Sequence, residues 1–454
     1  MKRSGFPIAV GLAVLATVAV PVLERVALAA DTTPPQAMSF SEVIATAVQA
    51  SPQAKVSYYG EQAAQSRTSA AKAQRYPKLS VNANLLRWND KIEVALGPPT
   101  PGMPTPKLLA RDIVTSTVGV TLAQPLTGLI ALSRLVGIEE SAAGGARQEA
   151  AQARLDAAQR AAEAYLRLLQ AKALANVAAQ SLTQVEAQLK TAQTFEQAGA
   201  LSKVDVLRLQ SARETARQNL LRAQMNVSIA QSGLGLALNL PMGTPVDATD
   251  DLPEKPAAAV IEENTAVNQA LEKRPEVALA ATREVLAQGN KAIARASLLP
   301  NLLAVGNYTH LEGQGPFQPK NAWYVGLTLN WDVWDWGKNV NDIRAAEAGR
   351  QQALIGKTVI RDQIAVEVRR RVLETKTAYE TLDVAQLALG AAEEANRIQS
   401  VRFKEGAATT TDVIDAESEV SRARNGYAQA RYDYYLAQAS LARAIGQMPG
   451  SGGQ

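Results

Sequence analysis

Residues 195–207 read F-E-Q-A-G-A-L-S-K-V-D-V-L, and residues 403–414 read F-K-E-G-A-A-T-T-T-D-V-I. Gly199 and Asp205 of the first stretch recur as Gly406 and Asp412 of the second, each 207 positions later. Both stretches interrupt long Ala-rich runs of helix formers. Glycine ends a helix in a left-handed turn, and a Ser or Thr followed by Asp caps the next one. The two stretches therefore read as the tips, near 195–205 and 403–412, of two long helical hairpins.

Upstream of the first tip, residues 129–194 hold little but helix formers. Leu166, Leu169, Leu174, Val177, Leu182, Val185 and Leu189 step by three to five residues, the seam of a coiled coil. At about 1.5 Å per residue this helix is about 100 Å long, with Gly144-Gly145 as a candidate bend. The chain returns through 203–238, and the Pro-rich stretch 239–260 is a linker. Nearer the start, Ser39 with Glu42 matches a capping box, and Ser51-Pro52 opens a second helix that Tyr76-Pro77 ends. The period then changes from helix to strand. Leu79, Val81, Ala83 and Leu85 alternate with Ser80, Asn82 and Asn84 in a strand over about 78–90. After a Pro- and Gly-rich loop, a strand over about 113–124 puts Val114, Val118, Val120 and Leu122 on one face and Thr115, Thr117 and Thr121 on the other.

The plan then repeats. Pro52 and Pro77 match Pro275 and Pro300, and V-G-V-T-L-A-Q at 118–124 matches V-G-L-T-L-N-W at 325–331. Chance likeness between Ala-rich helices does not reproduce prolines and strands in order. A first repeat over 30–238 and a second over 261–446 follow, the second with strands over about 301–311 and 322–333. Residues 447–454 read as a disordered tail. Residues 1–29 read as a secretory signal peptide: Lys2 and Arg3, an apolar run from Ile8 to Leu23, then Ala27-Leu28-Ala29.

Composition excludes several classes. After the leader no apolar run is long enough for a transmembrane helix. The net charge of +4 is small and both signs alternate along the helices, so no nucleic-acid surface is expected. There is no cysteine, and His310 is the only histidine. That set builds neither an ordinary zinc site nor a nucleophilic triad. Gly233-Leu234-Gly235 and Gly313-Gln314-Gly315 lack the further glycine of a nucleotide loop, and acidic pairs such as Glu393-Glu394 read as solvated faces. No catalytic residue, metal or cofactor is expected.

All five tryptophans, Trp88, Trp323, Trp331, Trp334 and Trp336, lie in or beside strands. In the fourth strand Trp323, Val325, Leu327, Leu329, Trp331 and Val333 share one face, and Tyr324, Thr328, Asn330 and Asp332 the other. Apolar-out, polar-in strands edged by aromatics mark a membrane β-barrel, with Trp88, Trp323, Trp331 and Trp334 at the lipid interface. A soluble sheet packed on helices is the competing reading. Four strands cannot close a barrel, and an open edge cannot sit in lipid. The membrane reading therefore needs strands shared between chains, and twelve from three chains would leave a lumen.

Together these features resemble the TolC family of outer-membrane efflux proteins, over about residues 38–446. S-P-Q-A-K and K-R-P-E-V open the paired helices, and R-Y-P-K-L-S-V and L-L-P-N-L-L-A lead into the strands. W-D-V-W-D-W-G leaves the sheet, and two G-x5-D-V tips follow. The resemblance implies an α+β membrane protein. Long helical hairpins would form a trimeric α-barrel in the periplasm, and four strands per chain a 12-stranded trimeric β-barrel in the outer membrane of a Gram-negative-type bacterium. It implies outer-membrane lipid, a periplasmic adaptor (membrane fusion) protein and an inner-membrane transporter as partners, and passage of cargo rather than chemistry. Drug, metal or organic-compound efflux and type I protein secretion all remain open as the cargo route.

By position, Asp412 and Asp415 match the family's paired aspartates at the pore constriction, where crowding raises carboxyl pKa values. Asp205, Phe403 and Arg431 match its gating network, although Phe403 stands where a tyrosine is usual and Ala408 where an arginine is. Gly199, Ala200, Leu201 and Ser202 resemble one adaptor-docking tip, and Gly406, Ala407, Ala408 and Thr409 the other. Plainer readings stay open: Asp412 as a helix N-cap, Asp415 on a solvated face, Arg431 paired with Asp433, and the tips as simple turns. A periplasmic coiled-coil scaffold without a channel is the alternative function.

Overall fold

The computed structural model describes residues 36–97, 102, 105–250, 252–253, 256–258, 262–316 and 318–450. The expected leader and the last four residues of the expected tail lie outside them. Strand β1 (Gln36–Met38) leads into α1 (Phe40–Ala50) and α2 (Pro52–Ala73). The capping box forms: the Ser39 N–H donates to the Glu42 carboxylate at 2.8 Å, and the Glu42 N–H to Ser39 Oγ at 3.4 Å. Then come β2 (Lys78–Arg87), β3 (Ile92–Ala95), β4 (Lys107–Pro125), α3 (Gly128–Gln197), α4 (Lys203–Ala237) and β5 (Val246–Ala248). The second half supplies α5 (Glu263–Lys273), α6 (Pro275–Ala296), β6 (Asn301–Gln314), β7 (Asn321–Asn330), α7 (Lys338–Lys404) and α8 (Thr410–Ala444). The repeat holds element for element, α1 with α5, α2 with α6, β2 with β6, β4 with β7, α3 with α7 and α4 with α8.

The 70-residue α3 and the 67-residue α7 each run about 100 Å at 1.5 Å per residue. Each is too long for its 35-residue return helix, α4 or α8. The remaining length of α3 is covered by α2, and that of α7 by α6, while α3 also packs on α6 and α8. Alanine makes this close packing possible: Ala157, Ala158, Ala161 and Ala162 of α3 are all buried. Gly144-Gly145 does not interrupt α3. Gly145 instead lies so close to α6 that an added Cβ would sit 3.1 Å from Thr282.

The strands form one antiparallel sheet in the order β2-β4-β6-β7, with β3 also paired to β4. The expected strand over 78–90 stops at Arg87, turns at Trp88 and resumes as β3. Both pieces pair along β4, which extends the second strand back to Lys107. Near the open end of β6, four residues of β4 lie opposite Gly313 alone. Gly313 has φ +78°, and a Cβ there would meet the Val114 carbonyl oxygen at 2.2 Å, so only glycine fits. The fourth strand ends at Asn330 rather than at Val333. Asp335 then caps the start of α7, its carboxylate accepting the N–H groups of Gly337 (3.0 Å) and Asn339 (2.8 Å), while Trp336 and Gly337 take φ +54° and +84°. Trp331 and Trp334 thus sit in the turn into α7, not on the strand face.

The stretch 239–260 is more than a linker. Its β5 pairs in parallel with β1, and Lys172 of α3 holds Asp247 at 2.9 Å. Tyr165, fully buried on α3, donates to Asp250 (2.9 Å); burial and that carboxylate push its hydroxyl up to about 12. The expected disordered tail is also corrected over its described part. Gly446, at φ +79°, turns the chain back, Pro449 is buried, and Gly450 lies against Phe40.

At the same level the K-R-P-E-V motif acquires a physical role. Arg274, 6% exposed between α5 and α6, reaches Glu276 at 2.9 Å and Glu367 of α7 at 2.6 Å. Arg443 of α8 joins Glu276 (2.7 Å) to Asp156 of α3 (2.7 Å). Burial pushes the Glu276 carboxyl up, but hydrogen bonds and charge from Arg274, with help from Arg443, outweigh it and hold the group at about 2. A folded value below the ordinary 4.5 stabilises the fold above about pH 4.5, and the contribution is lost as pH falls toward 2. Glu276→Gln is expected to cost about 3 kcal/mol at neutral pH. The difference from wild type should shrink in thermal unfolding as the pH is lowered through that window.

Candidate functional site

Both tips close by the same backbone device. Gly199 (φ +76°) and Gly406 (φ +73°) turn left-handed, and the next residues reach back to close the helix ends. The Ala200 N–H donates to the Phe195 carbonyl at 2.8 Å, and the Ala407 N–H to the Arg402 carbonyl at 2.7 Å. Ser202 then caps α4, accepting from the Asp205 N–H at 3.3 Å. Thr409 caps α8, accepting from the Asp412 N–H at 3.2 Å, while its own N–H donates to the Asp412 carboxylate at 2.8 Å. Asp412 is therefore not the N-cap. It is the third residue of the helix, and Thr409 is the cap.

The hairpins meet just above the tips. Leu189, Ala192, Val206, Leu209, Phe403 and Val413 form one buried cluster, and Phe195 and Phe403 pack with ring centroids 6.0 Å apart. Phe403 is thus core. Leu201 and Ala408 lean on this cluster, whereas Gly199, Ala200, Ser202, Gly406, Ala407 and Thr409 are exposed. No side chain lies within 4 Å of where a Cβ on either tip glycine would be, so the backbone turn alone demands glycine there.

Asp412 and Asp415, one turn apart, both face solvent. The Thr409 N–H and hydroxyl, with Arg402 nearby, hold the Asp412 carboxyl below its ordinary range. Within one chain the shift is thus opposite to the crowding expected of a ring of chains. Asp415 engages no other described residue. In the first repeat Asp205 pairs with Arg208 at 3.6 Å, and Arg208 reaches across to Thr411 at 3.5 Å. The first tip therefore carries a neutralised acid and the second a free one. Arg431 is not brought to Phe403 or Asp205. It lies far along α8, held by the carbonyls of Leu252 and Pro253 and near the Tyr432 ring. Nor does it pair with Asp433.

At the other end, the strand register puts the expected apolar residues on one continuous face. Trp323 lies level with Tyr308, Val120 and Val81, and Val325 with Gly306, Leu122 and Leu79. Trp323, Tyr308, Val81, Val325, Leu122 and Leu79 are exposed, Val325 by 78% and Leu79 by 65%, because no helix covers them. A soluble sheet packed on helices is excluded. On β7 the apolar face runs from Trp323 to Leu329, about 20 Å along the strand, and Trp331 follows in the turn beyond it. Trp88 caps the far end, donating to Thr115 (3.1 Å) under Arg111 at 3.8 Å, and Trp331 the near end, donating to the Leu298 carbonyl at 3.3 Å. The opposite face is polar and laterally bonded, as from Asn307 to Thr121 at 2.8 Å.

Two residues escaped the sequence reading. Arg274 stood in a recognised motif but had no assigned contact. Glu417 is 3% exposed on the α8 seam between Val413 and Val420, spaced four and three residues apart. An acid at an apolar-seam spacing was the available signal.

Comparison with known proteins accords with this geometry. The family described as Outer membrane efflux protein matches residues 43–240 and 266–447, one segment per repeat. The outer membrane efflux protein BepC of Brucella suis biovar 1 is 24% identical over 344 residues, 74% of this chain and 73% of that one. The solved outer-membrane channel OprN superposes with a TM-score of 0.76 at 19% identity, covering 90% of this chain and 89% of its own. VceC of Vibrio cholerae gives 0.73 at 17% identity, covering 90% and 96%. These structures share the fold; the family match carries the identity. With its repeat, its tips and its bare apolar sheet accounted for, this chain belongs to the outer membrane efflux protein family and is an outer-membrane efflux channel that extends into the periplasm.

Proposed function

We propose that three copies of the chain join edge to edge, β7 of one beside β2 of the next, into a single barrel whose lumen continues through the helices to the tips. The uncovered apolar sheet with two unpaired edges carries this reading, because lipid tolerates neither alone. The exposed stripe Leu221, Met225 and Ile229 on α4 supports it, as a helix face without a cover in one chain. In the trimer the free Asp415, with Asp412 beside it, lines the narrow periplasmic mouth and attracts cations there. The exposed small residues at both tips receive a periplasmic adaptor, which couples the duct to an inner-membrane transporter. Gating differs from the aspartate–tyrosine–arginine arrangement, since Phe403 is packed in the tip core and Arg431 is bound to the linker.

Detergent extraction of the outer membrane is expected to yield trimers, and a soluble periplasmic monomer would contradict the assembly. In planar bilayers Asp412→Asn with Asp415→Asn should lower cation selectivity and relieve block by multivalent cations. Asp412→Asn alone keeps part of the cap, so most of the effect should follow Asp415→Asn. At the tips, Gly199→Val or Gly406→Val forces a β-branched residue to positive φ at a cost of about 1–2 kcal/mol. Trimers should still assemble while transport in cells is lost; normal transport would remove the docking role.

A further inference from the structure

The seam of α8 that packs on α7 and α3 buries Val413, Glu417 and Val420. Glu417 Oε2 accepts from Asn396 Nδ2 of α7 at 3.0 Å. Glu417 Oε1 and Asn396 Oδ1 are both buried without a hydrogen-bond donor. Two acceptors on one bonded pair thus lack a donor, which buried polar groups rarely tolerate.

The surrounding charges do not supply one. Arg424 of α8 is the nearest guanidinium, and it is engaged by Glu393 of α7 at 2.9 Å and by Gln184 of α3 at 3.3 Å. Glu417 also lines a groove of about 840 Å³ between α3, α4 and α8, where Arg208 and Arg422 are the charged residues. Arg208 is paired with Asp205 and Arg422 with Glu419. From α3 the uncharged Ser181 offers its hydroxyl to the Glu417 carboxyl.

We propose that Glu417 is carried as the neutral acid, its proton donated from Oε1 to Asn396 Oδ1, so that acid and amide close on each other and clasp α7 to α8 above the tip. One proton satisfies both orphaned oxygens at once, whereas the Ser181 hydroxyl of α3, the other donor to this carboxyl, leaves Asn396 Oδ1 without a partner. Burial pushes the Glu417 carboxyl up, with Asn396, Arg424 and Ser181 only partly opposing it. Ionisation would set a buried carboxylate against an amide oxygen and loosen the hairpin that carries Asp412 and Asp415. The clasp is built within one chain, so it does not depend on the proposed trimer or on the tip acids acting as a filter.

A folded value raised above that of the unfolded chain stabilises the fold below about pH 4.5, and the contribution is lost as pH rises through the folded value. Glu417→Gln keeps an N–H donor in place of the acid and does not titrate. In thermal unfolding of the full chain in detergent, wild type and E417Q should match near pH 4. E417Q should then gain over wild type as pH rises, while Glu417→Ala melts lower than E417Q throughout. An infrared carbonyl band of a protonated carboxyl should persist in wild type above the pH at which exposed Glu side chains ionise, be absent in E417Q and be shifted in Asn396→Leu. A pH-independent difference, wild type gaining over E417Q with rising pH, or no such band would each overturn the proposal. The last two would show an ionised Glu417 held by a cation.

Discussion

In hydrocarbon an unpaired backbone N–H or C=O has no water to turn to, and the rest of the molecule is arranged around that constraint. The long strands satisfy one another in register, but among the described residues the outer edges of β2 and β7 find no strand to pair with. The helices that would normally cover a sheet leave from its base instead and run away from it. Trp336 and Gly337 take positive φ where β7 gives way to α7. The apolar face stays bare within one chain, which is what the proposed barrel in lipid requires, and Trp88 and Trp331 lie at its two ends.

The helices face a different problem, one of length. Helices α3 and α7 run about 100 Å, and no return segment matches either. Each needs a second helix end to end with the first, which leaves helix termini with unpaired carbonyls and N–H groups partway along. The β1–β5 pair, Tyr165 with Asp250, and the Arg274–Glu276–Arg443 cluster fill that joint. Its buried charges are tolerated because each guanidinium meets two carboxylates, so that removing any one partner would leave an uncompensated charge.

Near the second tip three acids within six residues have three fates. Asp412 is tied into a cap, Asp415 is free in solvent and Glu417 is inside the seam. At about 100° per residue, three positions turn a side chain nearly back to the same face and two carry it to the opposite side. The spacing alone thus separates a surface charge from a buried acid. In the first repeat Arg208 replaces the free acid, so the two tips share a backbone device and differ in electrostatics.

Much of this was legible in the chain. The repeat, the order of long elements, the tip glycines and the apolar and polar faces of the strands were all readable. Each depends on local chemistry: a left-handed glycine, a Ser or Thr cap, a period of two. The turn at Trp88, the pairing of β5 with β1 and the return of residues 447–450 onto Phe40 were not. Nor were the real surroundings of Phe403 and Arg431, or the buried states of Arg274 and Glu417. Those depend on contacts between segments far apart in sequence, as when Arg431 meets Leu252 or Arg443 meets Asp156. Sequence by itself determined which residues are able to turn, cap or face lipid. Only the tertiary structure decided which charges meet, because an ion pair or a buried acid is set by the neighbour it finds, and periodicity does not name that neighbour.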